Sequence, residues 1–409
     1  MLAPERRHRG DLIAAAAIVV VVAALTGVVW FRSDARATSS VVASTPLPPL
    51  EAVTTVPGAL RQLWAAPSSA TTAPVVASGA VVTADGSGVQ GRDPTTGEVG
   101  WSYRRDLPLC AVAAQWDRAV AVYRDSEGCG QVTSLHGDTG ARGPQRSSSA
   151  DDTVSLSGDG TYLTSVGNTR LETWRSDLVR TQEYGRVDAL VSPGAQPRSG
   201  CTLRSFGSVP TRSTVVERCP GDATDRMTLL DPAPSDAARP QQQGSVLLGA
   251  TGARVLAVTG QGEAVLLPGS APRVAVYSGS GVLTNEYPVP LTPDDLAGLG
   301  DSPVQLGANT GSVITVTVGS TMLALSTTDL ALRWSTAGVL GRPTVVADGL
   351  LVPTPGAITE LDATTGDLRR TITIDRGTDR GGGDSRVNLA AAGSVVLEQR
   401  GSTLVALGS

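Results

Sequence analysis

Short apolar runs punctuated by a recurring turn fix what this chain can fold into. From Leu60 onward no stretch of twelve residues keeps a helical period. Val, Leu, Ala and Thr gather instead in runs of four to seven, such as Ala80 to Ala84 and Ser312 to Val318, broken by Gly, Asp, Ser and Pro. Many short strands at even spacing mean an all-β sandwich, barrel or propeller, and an internal repeat decides among them. One copy, Val89 to Trp101, carries Asp93, Gly97 and Trp101. A second, Leu135 to Gly140, carries Asp138 and Gly140. A third, Ile358 to Leu368, carries Asp362 and Gly366. A degenerate copy runs from Leu323 to Leu330 and ends in Arg333-Trp334, and weaker ones end near Asp177 and Gly281. The shared form is strand, Asp-x-Thr-Gly turn, strand. An aspartate can bond the backbone two residues on, and glycine supplies the positive φ a hairpin needs. The three turn aspartates are therefore read as structural rather than as metal or quinone ligands.

The repeat also predicts how the ring shuts. Ser402 to Gly408 matches Ser320 to Ser326, so that repeat reaches its turn without a following strand. The missing half-repeat stands in Arg61-Gln62-Leu63-Trp64, which compares with Ala331 to Trp334. The first strand of the body should complete the last blade, which would remove an exposed sheet edge. Blades are expected at 73–106, 110–146, 152–187, 199–243, 246–288, 304–337 and 343–374, with the eighth formed by 387–408 plus 59–66. Seven blades is the alternative, because the fourth and fifth are hard to delimit. Thr292-Pro293-Asp294-Asp295-Leu296 reads as a short helix start between the fifth and sixth blades. Trp64, Trp101 and Trp334 occupy matching repeat positions and are assigned to packing between blades. Trp116 and Trp174 fall outside that register, and His136 stands just before a turn.

This pattern resembles the PQQ-like β-propeller repeat, roughly A-x-D-x-x-T-G-x-x-x-W, over most of residues 59–409. The match is clearest in the first and last two blades and poorest between about 190 and 290. The chain is similar to the actinobacterial branch of membrane-anchored PQQ-like propeller proteins. The resemblance implies a β-propeller but not an activity, since such folds host many functions. Quinoprotein dehydrogenases of this fold hold pyrroloquinoline quinone on an aromatic floor beside calcium. The alcohol dehydrogenases among them add adjacent cysteines. This chain has no Cys-Cys pair, two phenylalanines and no acidic or amide cluster assignable to calcium. No cofactor, catalytic residue or metal ligand is assigned.

At the N-terminus, Leu12 to Phe31 is twenty residues without a charge, enough to span a bilayer as a helix. Arg6, Arg7 and Arg9 precede it, so the positive-inside rule keeps residues 1–11 cytoplasmic and sends the body outward. Ala35-Arg36-Ala37 offers the rival reading of a cleaved signal peptide. The apolar run is long for that, and Arg32, Asp34 and Arg36 crowd the proposed site. The organisation is then a tail at 1–11, a transmembrane helix at 12–31, a Pro/Ser/Thr-rich extended linker at 32–58 that lifts the body off the membrane, and an extracytoplasmic propeller at 59–409.

In an exported body the four cysteines predict the disulfides Cys110–Cys129 and Cys201–Cys219. Each pair links the start of a blade's first strand to the approach to its third. Metal binding is the rival, but there is no C-x-x-C and the only histidines are His8 and His136. The net charge of −5, with no basic stripe, excludes nucleic acid as an expected partner. No G-x-S-x-G, H-E-x-x-H or P-loop is present. The expected function is a non-enzymatic scaffold or binding module of the cell envelope, meeting a protein or envelope polymer. In architecture it resembles the propeller lipoprotein of the outer-membrane β-barrel assembly machinery. The alternative is a quinone-dependent or other redox enzyme, or a ligand sensor, using the central channel. The loops expected to meet a partner are Leu291–Asp301 and Asp375–Arg386, the second offering Arg376, Arg380 and Arg386 to an acidic surface.

Overall fold

A computed structural model describes residues 8–31, 34–188, 194–297, 299, 307–377 and 386–409. Eight antiparallel sheets follow one another around the ring, seven of four strands and one of five. They are eight blades, counted from Val75–Ala77, the first strand of blade 1, to Thr403–Gly408 in blade 8. First strands of neighbouring blades lie side by side from blade 7 through blades 8 and 1 to blade 5, around a central axis. The middle strands are buried on both faces because blades stack face to face. Ala80–Asp85, Gly262–Leu267 and Thr321–Ser326 are accordingly almost continuously buried. A strand covered on both sides reads as an unbroken run of small and β-branched residues. Outer strands such as Leu332–Ala337 alternate instead.

Arg61–Pro67 pairs antiparallel with Thr403–Gly408 as the outer strand of blade 8, from Arg61↔Gly408 to Pro67↔Thr403. Inside, Val81 of blade 1 packs with Leu397, Leu404 and Ala406 of blade 8. The ring closes where the repeat comparison placed it.

Residues 39–56, within the stretch expected to be an extended linker, lie against the propeller. Ser39–Val41 adds a fifth strand outside Val99–Arg104 in blade 1. The Ala43 and Leu47 amides then donate to the Thr139 and Asp138 carbonyls in a turn of blade 2. Farther on, a Cβ at Gly79 of blade 1 would sit 2.1 Å from the Pro48 carbonyl oxygen, and one at Gly393 of blade 8 would sit 3.3 Å from that of Glu51. Val56 packs among blade 7 and 8 side chains, and Arg370 Nη2 donates to its carbonyl at 2.7 Å. Leu47, Val53 and Val56 are apolar enough to adhere, and proline lacks the N–H that would otherwise want a partner. The result is a strap over one face of the disc, from blade 2 across the closure to blade 7.

What locks blade to blade is visible at the repeat residues. The turn glycines Gly97, Gly140 and Gly366 have φ of 74°, 70° and 77°. A Cβ on each would lie 2.6–2.7 Å from the indole of Trp64, Trp101 and Trp334 respectively, which comes from the preceding blade. Each indole N–H donates to a carbonyl in that same turn, of Pro94, Gly137 and Ala363. Glycine is required twice over, for the left-handed backbone and for the space. The three locks join blade 8 to 1, 1 to 2 and 6 to 7.

Because Trp101 is fully buried, Trp101→Ala should cost about 3–5 kcal/mol in denaturant unfolding. Gly140→Ala should destabilise as well, but markedly less once Trp101 is already alanine. Additive losses in this double-mutant cycle would refute the lock.

Candidate functional site

Two of the three turn aspartates cap as expected. Asp93 Oδ1 accepts from the Thr95 and Thr96 amides, and Asp362 Oδ1 from those of Thr364 and Thr365. Asp138 does not share that role. The Gly140 amide closes its turn on the His136 carbonyl, as Gly97 closes on Asp93 and Gly366 on Asp362. His136 thus holds the aspartate position, and Asp138 lies two residues later, receiving the Leu47 amide through its carbonyl. Asp362 is held down to about 2, first by its hydrogen bond from Arg369 and then by the two threonine amides.

Both disulfides form, Cys110–Cys129 and Cys201–Cys219. The one group of three potential metal-ligating side chains among the described residues is Cys201, Glu217 and Cys219. Its sulfurs are bonded to each other, which leaves a single carboxylate.

Where tryptophan locks are missing, charged and polar groups span the blade interfaces, and sequence reading missed them. Between blades 2 and 3, Arg146 Nη2 meets Glu172 at 2.5 Å. Burial would raise the Glu172 carboxyl, but Arg146, Ser148 and Arg170 outweigh that and hold it low. Between blades 3 and 4, the Tyr184 hydroxyl donates to Glu217, whose carboxyl burial pushes up despite bonds from Thr228 and Tyr184. Between blades 4 and 5, Arg212 faces Glu263 and donates to the Thr259 and Gly279 carbonyls. Burial lifts Glu263 to about 7 against the pull of Arg212. Between blades 7 and 8, Arg376 meets Glu398. Buried pairs of this kind are weak sources of net stability but are costly to break singly. Between blades 5 and 6 the contact is apolar, with Leu256 and Leu266 against Val316 and Leu323. Trp116 donates from blade 2 to the Thr161 carbonyl in blade 3, and Trp174 is buried beside Leu163 and Leu178.

Arg376 is therefore not a partner-facing residue. It is 8% exposed, and besides Glu398 it donates to the Thr354 and Ala357 carbonyls of blade 7. The sequence misplaced it because nothing local marks which arginine of a loop turns inward. Arg386 is exposed, and Arg380 lies outside the described residues. The 291–301 loop is likewise anchored at its start. Thr292 caps the helix Pro293–Ala297 by accepting from the Asp295 amide at 3.1 Å. Asp295 is 2% exposed and accepts from the Thr292 and Ser320 amides and from three hydroxyls, those of Thr292, Ser320 and Thr321.

Strand connections between blades, and the hairpins between second and third strands, share the face opposite the strap. The two proposed partner loops are both connections between blades, after blades 5 and 7. This leaves one face strapped and the other carrying the irregular loops. Asp295 links that loop face to pH. Burial opposes its charge, yet the Thr292 and Ser320 amides and hydroxyls outweigh burial and hold it at about 2, below the ordinary 3.8. The stabilisation is complete above about pH 4 and is lost as pH falls toward 2. Asp295→Asn should cost about 2 kcal/mol at pH 7, from a shift of nearly two units. Its deficit against the parent should shrink as unfolding is measured from pH 4 down to pH 2.5; a constant deficit would assign it to packing alone.

No family model matches the chain, and no curated protein does. Solved structures do match in fold. BamB from Moraxella catarrhalis aligns with a TM-score of 0.51 at 12% identity, covering 86% of this chain and all of that one. Sqt1 from Chaetomium thermophilum, bound to the N-terminus of ribosomal protein L10, aligns at 0.56 and 11% identity, covering 85% and 100%. NirN, a dihydro-heme d1 dehydrogenase in complex with DHE, aligns at 0.50 and 11% identity, covering 82% and 78%. At these identities the likeness shows the fold alone, a β-propeller, and that fold carries both the L10-bound Sqt1 and an enzyme.

Proposed function

We propose that the chain is a membrane-anchored scaffold or binding module of the cell envelope, with its propeller on the non-cytoplasmic side and a protein or envelope polymer as partner. The observation that carries this is how the repeated polar and aromatic residues are used. Asp93 and Asp362 cap turns, Trp64, Trp101 and Trp334 lock blades, and Arg146, Arg212 and Arg376 face buried carboxylates across interfaces. These are commitments to a rigid disc. The connections after blades 3, 5 and 7 are the longest between strands and share one face, and loops on a rigid scaffold usually carry recognition. The sequence likeness to membrane-anchored PQQ-like repeat proteins points the same way, and so does the fold shared with BamB and with L10-bound Sqt1.

Export is supported by two independent features. Arg9–Phe31 is a 23-residue helix with no buried residue, so its apolar surface needs a cover that the propeller does not supply. Two disulfides form, as suits an oxidising compartment. A reporter fused after Ser409 should be active only where exported proteins are; activity confined to the cytoplasm would reject the topology.

The partner surface is tested by photo-crosslinking in cells, with probes at Asp294 and Arg386 on the loop face and at Asp367 and Ser394 on the strapped face. Crosslinks should arise from the first two positions. Crosslinks only from the second two would reject the loop assignment. Turnover of an alcohol or sugar by the purified protein with added quinone would reject the non-enzymatic reading.

A further inference from the structure

The route of the chain out of its apolar helix fixes which part of the disc meets the bilayer. The helix ends at Phe31, and Ser39 is already paired with Arg104 on the outer edge of blade 1. Eight steps separate the two residues. Three of them fall in the helical turn Asp34–Ala37. At about 1.5 Å per helical step and about 3.4 Å per extended step, the connection reaches roughly 20 Å. A stalk that short keeps the outer edge of blade 1 within about 20 Å of the end of the helix, and the docking of residues 39–56 along the strap leaves no further slack.

The edge that this places at the membrane has matching chemistry. Val41 and Val42 are 57% and 49% exposed, on the outermost strand and just after it, where neither has a core to fill. Arg36 stacks over the Phe31 ring at 4.5 Å, and the exposed Arg104 lies opposite Ser39 at the same end of this two-stranded edge. The edge strands Ser39–Val41 and Val99–Arg104 contain no aspartate or glutamate. Exposed aliphatic side chains beside arginines, with no acid between, suit the water–lipid interface: the valines enter the boundary while guanidinium groups bond phosphate oxygens.

We infer that the outer edge of blade 1, through Val41, Val42, Arg36 and Arg104, rests on the bilayer surface and holds the propeller edge-on to the membrane. Blade 5 then faces away, and the loop after it is among the parts of the disc most distant from lipid. The inference rests on the membrane-anchor reading of the Arg9–Phe31 helix.

The test uses the full chain reconstituted in phosphatidylcholine–phosphatidylglycerol vesicles. All four native cysteines are disulfide-bonded, so an added cysteine alone takes a nitroxide label. Labels go on Val21→Cys in the helix, Val42→Cys on the edge and Leu283→Cys on blade 5, where the native side chain is 48% exposed. Collision with oxygen and with a water-soluble nickel chelate reports depth. The expected order is lipid for position 21, interface for 42 with a several-fold lower nickel collision rate than 283, and water for 283. A label at 42 as aqueous as that at 283, with 21 in lipid, overturns the edge contact and leaves the anchor standing. An aqueous label at 21 overturns the anchor and the inference with it. Arg36→Glu combined with Arg104→Glu should raise the nickel collision rate at 42 toward the value at 283. No change would overturn the phosphate contact. The fifth strand pairs through backbone, so these variants keep the fold, which unchanged melting would confirm.

Discussion

A propeller blade has two apolar faces, and neither can be left to water. In a sandwich one partner sheet covers one face of each layer; here each blade is covered on one side by the blade before it and on the other by the blade after. That constraint forces a ring, and a ring must be closed. Blade 8 achieves this by taking Arg61–Pro67 as its outer strand, so covalent continuity joins the beginning and end of the body through one ladder. If that strand were withdrawn, the hydrogen-bonding edge of Thr403–Gly408 would open, and the packing of Val81 against Leu397 and Ala406 would lose the neighbour that holds it. The closure is also where the strap crosses, from blade 2 over blades 1 and 8 to blade 7. The chain therefore fastens its weakest junction twice, once by strand pairing and once by a segment laid across it.

The locks between blades divide by chemistry. An indole seated over a turn glycine joins three of the eight interfaces, and the seat needs no partner charge or titration. Between blades 5 and 6 the contact is apolar; at the other four interfaces the chain uses arginine against buried glutamate or, between blades 3 and 4, tyrosine against glutamate. Such pairs are directional and demand the right register, so they discriminate between neighbouring blades that are otherwise similar. A ring built of repeats risks packing the wrong blades together, and unlike locks at successive interfaces reduce that degeneracy. Specificity of this kind is an argument about alternatives, since buried ion pairs contribute little net stability. Glu263 shows the cost: burial lifts its carboxyl to about 7 although an arginine lies beside it.

What the sequence disclosed follows from the range of each interaction. Periodicity of two, Gly at turns and Trp four residues after Gly97 are local, so eight blades, the closing strand and three locks were legible. The disulfides were legible because cysteine has few alternatives in an exported chain. The four charged or polar locks join residues from 22 to 51 positions apart, such as Arg376 with Glu398 and Arg212 with Glu263. Nothing in a single sequence marks those partners, and so Arg376 was read as a loop arginine when it is buried against Glu398. Asp138 was misread for a subtler reason. Its turn shares Thr-Gly with the others, but the residue in the capping place is His136, and an aspartate two positions on supplied a false match. Of the candidate surface, the loops were found and their anchoring was not. Asp295 draws on Thr292 nearby, but the rest of its role comes from Ser320 and Thr321 in the next blade.

The strap changes how the anchor and the disc are related. A Pro/Ser/Thr-rich stretch between a helix and a domain reads as a spacer because its composition cannot form a core of its own. It can, however, complete another core. Leu47 packs against the blade 1 and 2 cluster, and Val53 and Val56 pack against that of blades 7 and 8. Once those side chains are buried, the residues between them lose the freedom a tether needs. Only residues 32–38 remain between the helix and the fifth strand of blade 1, and their reach is about that of a single blade strand. If the helix is retained as the proposed anchor, orientation at the membrane becomes a property of the fold rather than of a flexible linker. A disc fixed by its rim turns one sector toward lipid and the opposite sector outward, so recognition by the loop after blade 5 would require no change in the propeller itself.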